Sequence, residues 1–350
     1  MRRYGSKALS ILLGQRNGHL LVALLLCLGV LLVLQPGYFT LDNVRVIALN
    51  QSSIGIGAVG MAFLIIAGQV DLSIGSLFMA TAMLSAWLAL RTSTPAAFAG
   101  GLLAGAGLGL VNGLLVWRIR VSPLIVTLGT LTIFYGTVLV LTKGVGYYVA
   151  QPSFVSFGNA TPLGVPTEIW AMAIAAVAGY IVLTKTTIGR YIYAIGANRQ
   201  AAEAAGINVR RFIILLFVFD GILVAVVGIL TASRFSSANI EYGATFNLDV
   251  ITAVILGGVA FSGGEGSIVG VILAVAFLGV VNSGLIALGI DPYYTNVIKG
   301  SALILSIALE QLSQERRERY RRDLAIAEFR SDARSGTLLR DATDVPGAKG

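Results

Sequence analysis

From residue 19 onward, apolar runs long enough to cross a bilayer follow one another, separated by short polar breaks. A membrane-spanning helix needs about 20 predominantly apolar residues, fewer where it is short or re-entrant. By that measure, helices are predicted at 19–35, 44–67, 73–90, 96–117, 122–142, 168–185, 212–233, 247–261, 267–288 and 294–312. The pattern defines an all-α polytopic membrane protein of about ten transmembrane helices, some of them short or broken. It divides the chain into an N-terminal segment 1–18, a transmembrane domain 19–312 and a charged tail 313–350. The tail opens with SQERRERYRRDL, suited to a basic helix on a membrane surface, and is expected to be disordered beyond Arg334. The first apolar run ends at Gln35-Pro36 without a small-residue cleavage pattern, so it reads as an uncleaved span rather than a signal peptide.

The longest polar interruption inside the apolar region is 186–211, TTIGRYIYAIGANRQAAEAAGINVRR. Asn198 can cap a short helix over 199–205, its side-chain oxygen accepting a free first-turn N–H. The alanines at 201, 202, 204 and 205 favour that helix, and Gly206 stands where a left-handed terminating residue is needed. Such a helix between two spans is suited to docking another protein; a solvated connecting loop is the plainer alternative.

Composition agrees with the pattern. The 350 residues are 56% hydrophobic and 12% charged, with a mean hydropathy of +0.83, whereas soluble domains carry about 25% charge. A net charge of +8 would suit nucleic acid, yet the basic residues are spread through the connections rather than gathered on a soluble domain. Arg2, Arg3, Lys7 and Arg16, then Arg118 and Arg120, then Lys185 with Arg190, Arg199, Arg210 and Arg211, and finally the tail, all fall on one side of the predicted bundle. Cytoplasmic connections carry the excess of Lys and Arg, so both termini are expected in the cytoplasm and nucleic acid is not an expected partner. One cysteine, Cys27, and one histidine, His19, give neither a disulfide nor a Cys/His metal cluster. No metal or cofactor is expected.

Polar groups inside the spans are the candidates for a translocation pathway, because ionisable and polar side chains at membrane depth are costly. Asp220, in FVFDGIL, is the deepest carboxylate. Asp71, at the inner end of the second span and just before Ser73, suits either a helix start or a gate. A sugar needs neutral donors and acceptors beside an aromatic face, and Asn50, Gln51, Asn247 and Asn282 could supply the former. Gly55, Gly57 and Gly60 in the second span permit either local unwinding or close helix packing. In the fourth span Gly101, Gly105, Gly109 and Gly113 form a ridge that suits backbone-close packing or the lining of a path. SGGE at 262–265 imitates the signature of an ABC ATPase, but no phosphate-binding G-x-x-x-x-G-K-[ST] loop accompanies it, and ATP binding by this chain is not expected. The longest outer loop, 143–168, reads as a structured cap or a docking surface.

Four motifs in order, AGQVDLSIGS at 67–76, SPLIVTLGTLTIFYGT at 122–137, YAIGANRQAAEAAGINVRR at 193–211 and SANIEYGATFNLDVITAVILGGVAFSGGEGSIVG at 237–270, resemble the permease subunit of ribose/xylose-type ABC sugar importers. The likeness runs from about Val46 to Leu312. It implies that 186–211 is the coupling loop that receives the ATPase, with Gly189, Arg190, Gly196, Asn198, Glu203, Ala204, Ala205 and Gly206 as its marked residues. Gly206 follows Ala205 at once, which matches the sugar-importer version of this loop rather than the general EAA spacing. The resemblance further implies a homodimer in the bacterial cytoplasmic membrane, surrounded by lipid and served by ABC-type ATPase subunits and an external sugar-binding protein. Its expected work is import of a pentose, hexose or similar polyol, with ATP hydrolysed on the separate subunit. An ion-coupled secondary sugar transporter is the alternative, with Asp220 as its coupling carboxylate.

Overall fold

The computed structural model describes residues 18–119, 121–291, 293–294, 296–301, 304 and 308. The bundle lies in the compact unit that ends at Leu303; of the second unit, Ile304–Gly350, only Ile304 and Ala308 are described, both helical. The expectations for segment 1–17 and for the basic tail fall outside the described residues.

Nine predicted spans that fall within the described residues are helices: α1 (Gly18–Leu34), α2 (Leu41–Ile66), α3 (Ile74–Ala89), α4 (Thr94–Ile119), α5 (Pro123–Thr142), α7 (Thr167–Lys185), α10 (Val209–Phe235), α11 (Phe246–Leu256) and α12 (Ile268–Ala287). Six of these helices are long and apolar enough to cross a membrane, whereas α1, α3 and α11 are shorter apolar helices. The tenth predicted span, 294–312, is described at 294, 296–301, 304 and 308, all helical. The remaining helices are α6 (Pro152–Gly158), α8 (Thr187–Ala197) and α9 (Arg199–Ala204).

Helix α2 runs through the core, and its small residues each admit a different neighbour. Gly55 faces Met172 of α7, Gly57 faces Phe246 of α11, and Gly60 faces Asp220 of α10. The helix is unbroken at these glycines, so they serve packing and not unwinding. The ridge on α4 does the same against α10. A Cβ on Gly105 would lie 2.5 Å from that of Ala225, one on Gly109 2.9 Å from the Phe217 carbonyl carbon, and one on Gly113 2.9 Å from the Ile214 Cα. These three glycines, with Ala97, Gly101, Asn112 and Val116, are the buried face of α4.

At the end remote from α8 and α9, the 143–166 connection is a folded cap. Its strand β1 (Tyr147–Tyr148) pairs antiparallel with β2 (Ser237–Ala238), and Phe154 of α6 is fully buried. Ser233 Oγ accepts from Gly158 N and donates to the Phe154 carbonyl, pinning α6 to α10. Arg234 of α10 pairs with Glu168 at the start of α7 at 2.9 Å, and Lys299 pairs with Asp249 of α11 at 2.8 Å.

Two sequence expectations need correction. The span predicted over 247–261 stops at Leu256, because Gly258, Gly263 and Gly264 all adopt positive φ and turn the chain. The segment before Asn198, read only as part of the polar interruption, is the eleven-residue helix α8, which buries Ile192 and Ile195 and exposes Arg190 and Tyr191.

Candidate functional site: the α8–α9 segment and two loops beside short helices

Asn198 lies between two helices. Extended at φ −159°, it ends α8, and its Oδ1 accepts from Ala201 N at 3.0 Å to begin α9. Gly206, at φ +83°, closes α9 with its N–H on the Glu203 carbonyl, while Ile207 N returns to the Ala202 carbonyl. This left-handed glycine satisfies carbonyls that would otherwise be orphaned. Of α9 only Ala202 is buried; Arg199, Gln200 and Glu203 stand outward. Arg199 pairs with Glu203 at 3.2 Å and lies 4.8 Å over the ring of Trp117, at the end of α4. The predicted cap, helix and terminating glycine are thus all present.

The end of α8 meets two other motifs that lie far apart in sequence. Gly196 packs against the Ile66 carbonyl at the end of α2, and a Cβ there would lie 2.5 Å from Gly264 N. Gly264 N itself donates to that same Ile66 carbonyl at 2.8 Å. A Cβ on Gly263 would lie 3.1 Å from both the Gly196 carbonyl oxygen and the Gly68 Cα, and Tyr193 donates its hydroxyl to the Gly266 carbonyl at 2.9 Å. Backbone therefore touches backbone where α8 meets the 67–73 and 257–267 loops. Each loop borders a helix too short to span alone: α3 is about 24 Å long and α11 about 16 Å.

Above this junction sits a buried polar cluster. Asp71, Ser73, Asn112 and Asp220 are fully buried. Asp71 Oδ1 accepts from Ser73 N at 2.8 Å and Ser73 Oγ at 2.6 Å, while Asn112 Nδ2 donates to Asp71 Oδ2 at 2.9 Å and Ser73 Oγ at 2.7 Å. Asp71 thus lies in the connection before α3 and organises its start, the helix-start alternative of the sequence reading. Asn247 Nδ2 reaches the Leu72 carbonyl of the same connection at 3.4 Å. Asp220 has Asp71 as its charged neighbour, lies against Gly60, and neither of its carboxylate oxygens has a hydrogen-bond partner among the described residues.

The other sequence candidates lie elsewhere. Asn50 is exposed, and Gln51 sits against Gly279 of α12, one turn from the half-buried Asn282. Gly189 packs on the Leu183 backbone at the α7–α8 corner, Arg190 is exposed there, and Ala204 and Ala205 are exposed at the end of α9. Sequence reasoning missed Asn112, although it stands next to Gly113 on the glycine ridge and is the one amide in that span.

Six helices of membrane-spanning length and three shorter apolar ones make an all-α polytopic membrane protein. The chain belongs to the family described as branched-chain amino acid transport system / permease component, which matches residues 44–307. It is 36% identical over 318 residues to the ribose import permease protein of Escherichia coli (strain K12), covering 89% of this chain and 98% of that protein. It is 33% identical over 303 residues to the L-arabinose ABC transporter permease protein of Azospirillum brasilense, covering 86% and 89%. With the D-allose transport system permease protein of Escherichia coli (strain K12) it shares 34% identity over 282 residues, 80% of this chain and 86% of that protein. No solved structure matches.

Proposed function

We propose that this chain is the conduit subunit of an ATP-driven importer of a monosaccharide, a pentose, hexose or similar polyol, in the bacterial inner membrane. The substrate class rests on the names of its relatives, which are sugars even though the family description speaks of amino acids. The observation that carries the mechanism is the meeting of α8–α9 with both broken-helix loops through backbone. An ATPase gripping α9 from the cytoplasm would move α8, and α8 has no side chain at Gly196 to absorb the displacement. Both loops would then shift together, and with them the Asp71–Ser73–Asn112 cluster that fixes the start of α3. Such a device switches a conduit when the partner binds its two states with different affinity.

The apolar faces of α5 and α7, with Ile125, Ile133, Val140, Ile174 and Val177 outward, are covered by lipid and by a second copy of the chain in this reading. An external sugar-binding protein delivers substrate to the capped end, and ATP is hydrolysed on the separate subunit. The test is reconstitution with a cognate ATPase and binding protein, where uptake follows ATP and persists when proton and sodium gradients are collapsed. Asp220 keeps the ion-coupled alternative in view, since an unpaired carboxylate inside a membrane is a natural ion site. Gradient-driven sugar accumulation by the purified chain alone, abolished by Asp220→Asn, would establish that alternative and overturn ours.

A further inference from the structure

Asp220 takes no part in the coupling argument, and its surroundings are short of donors. It is fully buried on α10 with Oδ1 against Gly60 of α2, and neither carboxylate oxygen has a hydrogen-bond partner among the described residues. Asn112 Oδ1 is a third buried oxygen without one. The Asn112 amide cannot turn to correct this, because its Nδ2 is held by Asp71 and Ser73 together. Asp71 takes three donors, Ser73 N, Ser73 Oγ and Asn112 Nδ2, and so draws off what the cluster has to give. Charge shows the same deficit. Asp71 is the charged neighbour of Asp220, and the ion pairs Arg199–Glu203, Arg234–Glu168 and Lys299–Asp249 include neither of them. A carboxylate with neither donor nor counter-charge is costly to hold at membrane depth. A proton on Asp220 would furnish one donor for three orphaned acceptors and leave at least one unmet. A cation ligated by oxygen can serve several.

We propose that a sodium ion is held between Asp220 and Asp71, with Asn112 Oδ1 as its neutral ligand. The donor set is carboxylate and amide oxygen, which suits a hard cation and not a soft transition metal. No group of three or more His, Cys, Asp or Glu occurs among the described residues, and Asp71 is compensated by its donors, so the site lacks a single positive charge. The sequence expectation of no metal rested on Cys and His, and a site of this chemistry carries no such signature. Asn112 and Asp220 lie on the two helices of the α4–α10 contact, on either side of the level where Gly109 meets Phe217. Asp71 joins them from the connection before α3, and interrupted helices are where membrane bundles hold such ions. The ion ties α10 and α4 to the start of α3. Because it binds the folded chain alone, it stabilises that chain by mass action. The inference concerns the ion's residence and not the force that drives transport, so it stands or falls apart from the importer reading.

The test unfolds the purified chain thermally in detergent, with sodium chloride replacing choline chloride at constant ionic strength. A saturable rise in the unfolding midpoint is expected, about 3 °C at roughly a hundredfold the half-saturating sodium concentration. Asp220→Asn keeps the shape of the side chain and removes its charge. That variant should show no sodium response, and in choline alone it should unfold no lower than the parent, because the uncompensated charge has gone. A carboxylate with a merely structural role would instead lose stability in both salts when replaced. If the variant does not fold, binding of radiolabelled sodium to the parent chain decides the matter. One ion per chain, displaced by unlabelled sodium and not by choline, is the expected result. A flat sodium titration, a sodium response that survives in Asp220→Asn, or no saturable uptake of label overturns the proposal. A midpoint that ignores sodium but rises on acidification shows that a proton holds the site, and overturns it equally.

Discussion

Replacing Gly196 by alanine puts one methyl group into a space closed by backbone on two sides. The new carbon would overlap the Ile66 carbonyl oxygen and lie 2.5 Å from Gly264 N, and the hydrogen bond between those two groups is 2.8 Å long. Neither obstacle is the end of a flexible side chain, so one of the three segments has to move. Forcing a methyl into a closed contact costs about 1–3 kcal/mol, and losing the Gly264–Ile66 bond adds about 1 kcal/mol. Alanine in the last turn of α8 returns about 1 kcal/mol of helix propensity. The net expectation is destabilisation by about 1–3 kcal/mol. Gly136→Ala in α5 is the matched control, because no atom lies within 4 Å of a Cβ there. It makes the same chemical change inside a helix and gains up to about 1 kcal/mol. Thermal unfolding of the two variants side by side in detergent should thus move in opposite directions. ATP-driven uptake should be lost in Gly196→Ala and kept in Gly136→Ala. If the two variants unfold and transport alike, the junction is not a backbone contact and the coupling argument built on it fails.

Three other expectations follow from the same geometry. Gly105→Leu should drive α4 from α10, since a Cβ there already meets the Gly221 carbonyl and Ala225; a loss of about 1–3 kcal/mol or more is expected in detergent, and wild-type stability would refute the tight contact. Ala202→Pro removes a helical N–H from α9 at a cost of about 3 kcal/mol; insertion and self-association should survive while ATPase co-purification and uptake disappear, and normal coupling would reduce α9 to a connector. In a Cys27→Ala background, Ser153→Cys should react with an impermeant thiol reagent in intact cells and Gln200→Cys only after the membrane is opened; the reverse would invert the assigned orientation.

The spans were legible because a bilayer asks for one simple property, apolar length, and α4, α7 and α10 show it without reference to any neighbour. Helix α9 was legible for a different reason: Asn198 and Gly206 mark its two ends locally, and both do so in the structure. Its neighbour α8 was not, since Gly189 and Gly196 inside eleven residues weaken intrinsic helix preference. Gly189 is there for the tight corner on Leu183 and Gly196 for Ile66, which only the fold brings near, although Thr186, accepting from Gly189 N at 3.3 Å, offered a starting signal. The buried cluster was half legible. Asp71, Ser73 and Asp220 announce themselves as polar groups in apolar surroundings, but Asn112 gains its meaning from partners about forty residues away.

The contact between α4 and α10 has a consequence for how motion travels. Along it, glycines of one helix rest on carbonyls and Cα atoms of the other, as Gly105 and Gly221 do reciprocally. Side chains between two helices act as springs, because rotamers can change before the axes do; here that compliance is missing. The chain passes from the end of α9 through Gly206 and Asn208 directly into α10, whose 27 residues extend for about 40 Å. A displacement applied at Asn208 would meet α4 by backbone over Ile214–Gly221, about 10 Å of that length, and α10 runs on to the cap, where its Ser233 holds α6. Over that stretch the two helices are joined without rotatable side chains, on a path that begins at α9 and ends at the cap.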